Sequence, residues 1–276
     1  MYYDLKTDSY IKTEPNRSLK FLYETIIGRF ILKIATTKLV ANLYAFYMNS
    51  KLSKHKIKKF IKKNNIDMSI YQDKEYSSFN DFFKRNIKKD SRKIEDGLFS
   101  ICDSKLSVYE IDSNSSFKIK NSIYTIEELI KDKTKYKYAL IFRLCVDDYH
   151  HYIFPDDGVI TKEYEIDGIL HTVQPIAFKK HKVFTENSRN ITFLDCKNLG
   201  KVCYVEVGAM FIGKICNEKK QTFKKGEEKG HFEFGGSTII LLLEKDVKID
   251  KKIIENTKKG IETIVKMGQK IGECYY

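Results

Sequence analysis

A glycine-serine step near the carboxyl end of the chain has the residue types needed for backbone chemistry. Gly235-Gly236 precedes Ser237, and an apolar run at residues 238–243 follows directly. Two glycines let the backbone adopt strained or positive-φ conformations, which would bring the serine hydroxyl close to the preceding carbonyl carbon. A following strand would hold the serine in place. Gly-Gly-Ser-Thr is also an ordinary turn into a strand, and the local sequence by itself favours this second interpretation.

Other common site motifs are missing from the sequence. There is no H-E-x-x-H zinc motif, no G-x-x-x-x-G-K-[ST] phosphate loop and no G-x-G-x-x-G fingerprint, so we expect no metal and no nucleotide. The six cysteines form no C-x-x-C pair and have no zinc-like spacing, which indicates reduced thiols in the cytosol. The first residues lack a basic region followed by an apolar core, so no signal peptide is expected.

Positive charge is concentrated in one stretch of the chain. The 276 residues carry a net charge of +13, and residues 17–63 hold twelve Lys or Arg against a single acid, Glu24. A basic region beside apolar residues suits an anionic polymer or an anionic bilayer surface. No nucleic-acid reader motif accompanies this charge. A lipid surface is therefore favoured, and no nucleic-acid partner is expected.

The first part of the chain has a helical pattern. Residues 18 to about 48 show apolar side chains at helical spacing, with Ser18 as N-cap and Gly28 as a point of interruption or bending. The longest uncharged run, residues 39–50, is shorter than the roughly 20 residues that a bilayer span requires. Two interpretations stay open: a helical pair packed on its own domain, or a helix in the lipid interface with its lysines toward anionic headgroups.

After residue 50, the sequence predicts first short helices and then mainly β-strands. Residues 51–63 predict basic helical turns, and residues 76–85 predict a capped short helix with an aromatic face. Short β-prone runs follow at residues 139–146, 202–207, 209–215 and 238–243. We predict an α+β fold in which a helical, basic, membrane-facing N-terminal region, residues 1–97, packs on a β-rich catalytic core, residues 98–276.

Six ordered segments resemble the phosphatidylserine decarboxylase family, over nearly the whole chain. They are Phe79-Asn80-Asp81-Phe82-Phe83-Lys84-Arg85, Cys102-Asp103-Ser104-Lys105, Asp148-Tyr149-His150, Gly168-Ile169-Leu170-His171-Thr172-Val173-Gln174-Pro175, Val207-Gly208-Ala209 and Lys229-Gly230-His231-Phe232-Glu233-Phe234-Gly235-Gly236-Ser237-Thr238. The resemblance implies a self-processing, pyruvoyl-dependent decarboxylase of the bacterial, peripheral-membrane type.

The resemblance also implies how the cofactor arises. The Ser237 hydroxyl attacks the Gly236 carbonyl, and elimination from the resulting ester divides the chain into a large subunit, residues 1–236, and a small subunit, residues 237–276. Ser237 becomes an N-terminal pyruvoyl group. This group forms a Schiff base with phosphatidylserine and accepts the electrons left when CO2 departs, which yields phosphatidylethanolamine.

Further site residues are carried over from the family one by one. Asp103 matches an aspartate that helps activate the serine, and His150 matches a histidine linked to decarboxylation, as proton donor or partner of the departing carboxylate. Many members have a second histidine, the base of self-cleavage, where this chain has Ile153. His150 or His151 could replace it, but His151 should point the other way on a predicted strand. His171 is our candidate replacement.

The implied partners follow from the same resemblance. They are phosphatidylserine, an anionic membrane surface at the cytoplasmic face of the cell membrane, and a second copy of the chain in a homodimer. Two alternatives stay open. One is a pyruvoyl-dependent decarboxylase of a soluble amino acid, and the other is an unprocessed, non-catalytic membrane-surface homologue, which the loss of a histidine at Ile153 suggests.

Overall fold

Helices and strands both contribute to the structure, as the α+β prediction requires. The computed structural model describes residues 1–13, 17–119, 122–210, 214–235 and 237–274. The α-helices of these residues are α1 (Arg17–Glu24), α2 (Ile26–Ala35), α3 (Lys38–Asn49), α4 (Lys56–Asn64), α5 (Phe79–Phe83), α6 (Ile126–Ile130), α7 (Val183–Glu186) and α8 (Lys251–Lys258). The predicted α+β class is confirmed.

The strands of the described residues form four sheets. They are β1 (Tyr2–Asp4), β2 (Ser9–Ile11), β3 (Leu98–Phe99), β4 (Ser104–Glu110), β5 (Ser116–Ile119), β6 (Ser122–Thr125), β7 (Tyr138–Leu144), β8 (His151–Ile153), β9 (Gly158–Ile166), β10 (Arg189–Cys196), β11 (Gly200–Val207), β12 (Ile215–Asn217), β13 (Thr222–Phe223), β14 (Glu228–Phe232), β15 (Ser237–Leu243), β16 (Val247–Ile249), β17 (Glu262–Val265) and β18 (Lys270–Cys274). The large sheet has the order β13-β9-β10-β11-β15-β7-β4-β17-β1-β2, and the smaller ones are β12-β14-β8, β16-β18-β3 and β5-β6.

Ser237 begins a central strand of the large sheet. Every residue of β15 is buried, as expected for a continuous apolar run between two neighbouring strands. β15 pairs with β7, where Ser237 lies opposite Leu144, and with β11, where Ile239 lies opposite Glu206. Directly opposite residues of antiparallel strands point to the same face of a sheet, and residues two apart share a face. Ser237, Leu144 and Glu206 therefore point to one face.

The small sheet β12-β14-β8 covers the face to which Ser237 points. The Tyr152 ring on β8 lies 6.0 Å from the Tyr204 ring on β11 and 5.0 Å from the Phe232 ring on β14. These aromatic side chains belong to a core that also contains Ile239 and Leu241. The candidate serine is thus enclosed between two β layers and is shielded from water.

The predicted helix at residues 18–48 is three helices in the structure. Thr25 and Thr37 act as N-caps, accepting hydrogen bonds from the backbone N–H groups of Gly28 and Val40, and the chain turns at each cap. The break expected at Gly28 is wrong, because Gly28 lies inside α2. A Cβ at this position would lie 2.0 Å from the Phe21 carbonyl oxygen, so glycine lets α2 pack closely on α1.

The helical turns predicted at residues 51–63 and the capped helix predicted at residues 76–85 are confirmed. The basic stretch at residues 51–63 contains a 3₁₀ turn and most of α4, and Ser78 caps α5 by accepting from the Asp81 N–H. The strand predicted at 209–215 falls partly on residues 211–213, outside the described residues, and β12 begins only at Ile215.

None of the described helices is both long enough and apolar enough to pass through a bilayer.

The division into two regions at residue 97 stays a prediction. The N-terminal region contains α1 to α5, but it also supplies two strands to the large sheet. β1 pairs in parallel with β17, so that Tyr3 lies opposite Thr263. The first strands therefore belong to the same hydrogen-bonded sheet as β15.

Candidate active site

Ser237 lies in a buried position between two fixed segments. Its side chain is completely buried, and its Oγ has no hydrogen-bond partner among the described residues. On the N-terminal side, the Phe234 N–H donates to the Asn80 Oδ1 (3.0 Å), and the Phe234 ring packs on Phe79 and Phe83 of α5. Strand β15 fixes the other side. The two segments that meet at residues 236 and 237 are thus both anchored.

The glycines before Ser237 were predicted to allow unusual backbone geometry. Gly235 has a φ of +149°, a conformation that residues with a Cβ rarely adopt. Gly236, the residue predicted to lose its peptide bond to Ser237, lies outside the described residues.

His150 has the geometry of a neutral proton acceptor. Its Nδ1 lies 2.9 Å from the Asp148 backbone oxygen, and since a carbonyl only accepts, Nδ1 carries the proton. The Nε2 is buried without a hydrogen-bond partner among the described residues. Burial lowers the pKa of His150 to about 4, so the imidazole is neutral near pH 7. Its unpaired Nε2 lone pair is therefore available for a proton.

Two contacts join His150 to the segment that leads into Ser237. The His150 carbonyl accepts from the Phe232 N–H (3.0 Å), five residues before Ser237. The Phe83 ring lies 4.3 Å from the His150 ring and 5.1 Å from the Phe234 ring. The structure thus places His150 beside the segment that leads into Ser237, and Phe83 of α5 contacts both.

Asp103 is buried, and its carboxylate contacts cations rather than a histidine in the described residues. Its Oδ2 lies 3.0 Å from both the Arg92 Nη2 and the Lys266 Nζ, and its Oδ1 accepts from the Met267 N–H (2.8 Å). The residue's link to His150 is indirect. Lys266 also lies 3.9 Å from the carboxylate of Asp148, whose backbone oxygen holds His150.

Lys105 completes this ionic network. Its Nζ lies 2.7 Å from the Asp148 Oδ2, and both side chains are buried. The Asp148 carboxylate also accepts from the Cys145 N–H (2.8 Å), which closes the loop between β7 and β8. Sequence reasoning quoted Lys105 and Asp148 as parts of family segments but assigned them no role. Only their pairing across 43 residues shows that they position the His150 loop.

The structure places His171 in a different cluster. Its Nδ1 lies 3.3 Å from the Tyr23 hydroxyl of α1, its ring lies 3.8 Å from that of His181, and its Nε2 lies 3.7 Å from the Glu186 carboxylate. Burial, together with the nearby His181, lowers the pKa of His171 to about 4. None of the contacts described for His171 is with Ser237.

One bridge connects the His171 cluster to the large sheet. The Asn187 side chain donates from Nδ2 to the carbonyls of His171 (2.8 Å) and Gly208 (2.7 Å). Gly208 follows Val207, which lies opposite Thr238 in the sheet. His171 is therefore attached to the end of β11 that neighbours Ser237, but through a backbone bridge rather than through its ring.

Ile153 and His151 are also placed by the structure. The Ile153 side chain is buried, and its N–H donates to the Ile101 carbonyl (3.0 Å). The His151 Nδ1 lies 2.8 Å from Glu228, away from the layer that contains Tyr152. The His150 ring instead lies against Phe83, and the opposite orientation of the two histidines stays a prediction.

Comparison with known proteins identifies the family of this chain. The family model described as phosphatidylserine decarboxylase matches residues 79–273. "Phosphatidylserine decarboxylase proenzyme 2" of Clostridium acetobutylicum is 51% identical over 98% of this chain and 96% of its own length. Proteins named "Phosphatidylserine decarboxylase proenzyme" from Desulfitobacterium hafniense and Clostridium tetani are 38% and 40% identical, each with at least 97% of either chain covered. The chain therefore belongs to the phosphatidylserine decarboxylase family.

Proposed function

We propose that this protein is a phosphatidylserine decarboxylase that makes its own pyruvoyl group from Ser237. The observation that carries the proposal is a pair of buried atoms, the Ser237 Oγ and the His150 Nε2, both without a hydrogen-bond partner among the described residues. Leaving a buried polar atom unpaired costs about 1–3 kcal/mol, so each such atom requires an explanation, and a catalytic role is one. Membership of the family and the proenzyme names of the relatives support the same conclusion.

Self-processing would start with Ser237. Its Oγ attacks the carbonyl carbon of Gly236, the C–N bond of the peptide breaks, and the Oγ proton passes to the freed amine with help from a base. Removal of the Ser237 Cα proton then breaks the Cβ–O bond, which releases the carboxylate of Gly236. Hydrolysis of the remaining dehydroalanine frees ammonia and leaves the pyruvoyl group.

The residues around Ser237 fit a pyruvoyl group at this position. A pyruvoyl carbonyl condenses with a substrate amine and withdraws electrons from the carbon that loses CO2. His150, neutral and with its Nε2 lone pair free, would hold and return a proton in this step, while Asp148 holds the ring in its orientation. The aromatic rings of Phe79, Phe83 and Phe234 exclude water.

Three residues have proposed parts in the activation of Ser237. Asp103, held by Lys266 and Arg92, would keep the ionic network that positions His150 rather than accept a proton itself. His150 is our first candidate for the base of self-cleavage, because it lies beside the segment leading to Ser237. His171, the candidate favoured from the sequence, becomes the second candidate, supported by its burial and its attachment to the end of β11.

A lipid surface is proposed from α2 and α3. Large apolar side chains on these helices are exposed to solvent, with Ile26 and Phe46 each 80% exposed. The complete set on the two helices is Ile26, Ile27, Phe30, Ile31, Ile34, Leu39, Leu43 and Phe46. Such side chains beside a strongly basic stretch suit a helix lying in the interface of an anionic membrane. We accordingly propose peripheral binding at the cytoplasmic face of the cell membrane.

The lipid surface favours phosphatidylserine over a soluble amino acid, since a soluble substrate requires no exposed apolar helices. The homodimer is proposed from the family resemblance and can be measured by light scattering.

One experiment tests the central proposal: purified protein is analysed by intact mass and incubated with phosphatidylserine vesicles or free serine. We expect pieces of 236 and 40 residues and CO2 release from the vesicles. An intact 32.4 kDa chain would instead support the unprocessed alternative.

A further inference from the structure

Three side chains with metal-binding chemistry meet on the outer side of the small sheet. His151 of β8 lies directly opposite His231 of β14, and their rings stack with centroids 5.0 Å apart. The Glu228 Oε1 lies 2.8 Å from the His151 Nδ1 and 4.0 Å from the His231 Nδ1. One ligand atom from each of the three residues lies within 4.8 Å of the others. Small side-chain movements would place all three around one ion.

A β-bulge creates this arrangement. In a regular strand, Glu228 and His231 would point to opposite faces, because they are three residues apart. The pairing of β14 with β8 shifts between Glu228 and Gly230, so that Glu228 lies opposite Ile153 and Gly230 lies opposite Tyr152. The extra residue turns Glu228 to the His231 face and Lys229 toward the interior. Bulges commonly re-aim side chains in this way.

The His151 ring is already held in the orientation that a metal ligand needs. Its Nε2 lies 3.2 Å from the Lys84 backbone oxygen, which can only accept, so Nε2 carries a proton. The other ring nitrogen, Nδ1, faces Glu228. Histidine ligands of metals usually donate their second N–H to a carbonyl or carboxylate in this manner.

The charges and exposure around the three residues also permit a cation. The nearest lysines have acidic partners of their own: Lys84 lies 3.7 Å from Glu233, and Lys220 lies 2.7 Å from Glu227. The side chains of Glu228 and His231 are 42% and 23% exposed, so an ion can enter and keep water as a further ligand.

We propose that His151, His231 and Glu228 bind a divalent first-row transition metal ion, for which Zn²⁺ is the best match. Two imidazole nitrogens and one carboxylate oxygen with an open position form a common zinc ligand set. The ion would take the place of the hydrogen bond between the His151 Nδ1 and Glu228. It would tie β8, which follows His150, to β14, which leads toward Ser237, and would stabilise both sides of the candidate active site.

Zinc binding by the purified full-length protein tests this proposal. After removal of metals with EDTA, the protein is dialysed against Zn²⁺, and bound zinc per chain and the unfolding temperature are measured. We expect one Zn²⁺ per chain and a higher unfolding temperature with zinc. Because even the loss of a residue that orients a ligand weakens binding by about 10- to 100-fold, His231→Ala and Glu228→Gln should weaken it by about 100-fold or more.

A second histidine cluster supplies the matched control. His171, His181 and Glu186 also group three ligand atoms, but the proposal assigns zinc to the His151 group, so His181→Ala should bind as much zinc as wild-type protein. His231→Cys, which keeps a ligand for zinc, should retain binding and guards against loss through misfolding. The proposal is overturned if wild-type protein binds no stoichiometric Zn²⁺, if binding survives His231→Ala, or if His181→Ala abolishes it.

Discussion

Lys229 and Glu206 form an ion pair in the layer between the large sheet and the β12-β14-β8 sheet, on the face to which Ser237 also points. Both side chains are almost completely buried, and the Lys229 ammonium lies over the Tyr204 ring at 4.8 Å. Glu206 is opposite Ile239, two residues along β15 from Ser237. This pair joins β14, which leads toward Ser237, to β11, which lies beside β15.

Breaking the Lys229–Glu206 pair should destabilise the fold. Lys229→Met leaves a buried carboxylate without its cation, which costs about 3–5 kcal/mol. Replacing both residues, Lys229→Met with Glu206→Met, should recover most of this loss, because neither charge is then buried. Urea unfolding of the two single variants and the double variant measures the free energy of unfolding. A double variant as unstable as Lys229→Met would show that the ion pair is not the cause.

Removing the Ser237 hydroxyl should abolish self-processing. Ser237→Ala has no nucleophile for the Gly236 carbonyl, so we expect a single intact chain and no decarboxylation. Ser107→Ala is the matched control, since Ser107 is also buried in the large sheet but lies on β4. Denaturing gels and intact mass of both variants provide the measurement. Cleavage of Ser237→Ala at the wild-type position would rule out Ser237 as the nucleophile.

The two candidate bases can be separated by the rate of self-cleavage. Loss of a general base slows proton transfer by about 10²- to 10⁴-fold, and we expect His150→Ala to show this effect. His171→Ala should process at nearly the wild-type rate, because the described contacts of its ring are with Tyr23, His181 and Glu186. A time course of freshly synthesised chains reports both rates. The reverse result would transfer the role to His171.

Acid should destabilise the protein through its buried histidines. Burial lowers the pKa values of His150, His171 and His231 to about 4, against 6.5 for the exposed side chain. Between these values the unfolded chain binds more protons than the folded chain, so the stabilisation is complete above pH 6.5 and is lost as the pH falls toward 4. Unfolding of the Ser237→Ala chain in urea at several pH values measures this. His150→Phe should reduce the slope, because it removes one of these buried imidazoles.

The exposed apolar side chains of α2 and α3 should control membrane binding. Burial of a large apolar side chain stabilises by about 1.5–3 kcal/mol, so the triple variant Ile26→Ser, Phe30→Ser, Phe46→Ser should bind anionic vesicles at least about 10-fold more weakly. Ile123→Ser on β6, at a site that is 54% exposed, is the matched control. Vesicle flotation gives the bound fraction, and self-cleavage should be unchanged. Equal flotation of the triple variant would remove α2 and α3 as the lipid surface.

Short-range patterns in the sequence were enough to predict several helices and strands and the candidate site residues. The capped aromatic stretch at residues 76–85 predicted α5, the apolar run after Ser237 predicted β15, and ordered family segments pointed to Ser237 and His150 as candidate site residues. These features depend on neighbouring residues, whose local propensities and burial are readable in order along the chain. The sequence did not predict that the N-terminal helix breaks at Thr25 rather than at Gly28. Glycine is needed at position 28 because α2 packs closely against the Phe21 backbone of α1, a contact that the local sequence does not reveal.

Only the tertiary structure decided which side chains act together. Asp103 pairs with Lys266, 163 residues away, and His171 contacts Tyr23, 148 residues away. No sequence motif predicts contacts between residues so far apart along the chain. The grouping of His151 with His231 depends on strand pairing and on a bulge at Glu228, so the search for metal motifs by spacing could not find it. Long-range hydrogen bonding and burial set these contacts, and they depend on the whole fold rather than on any single segment.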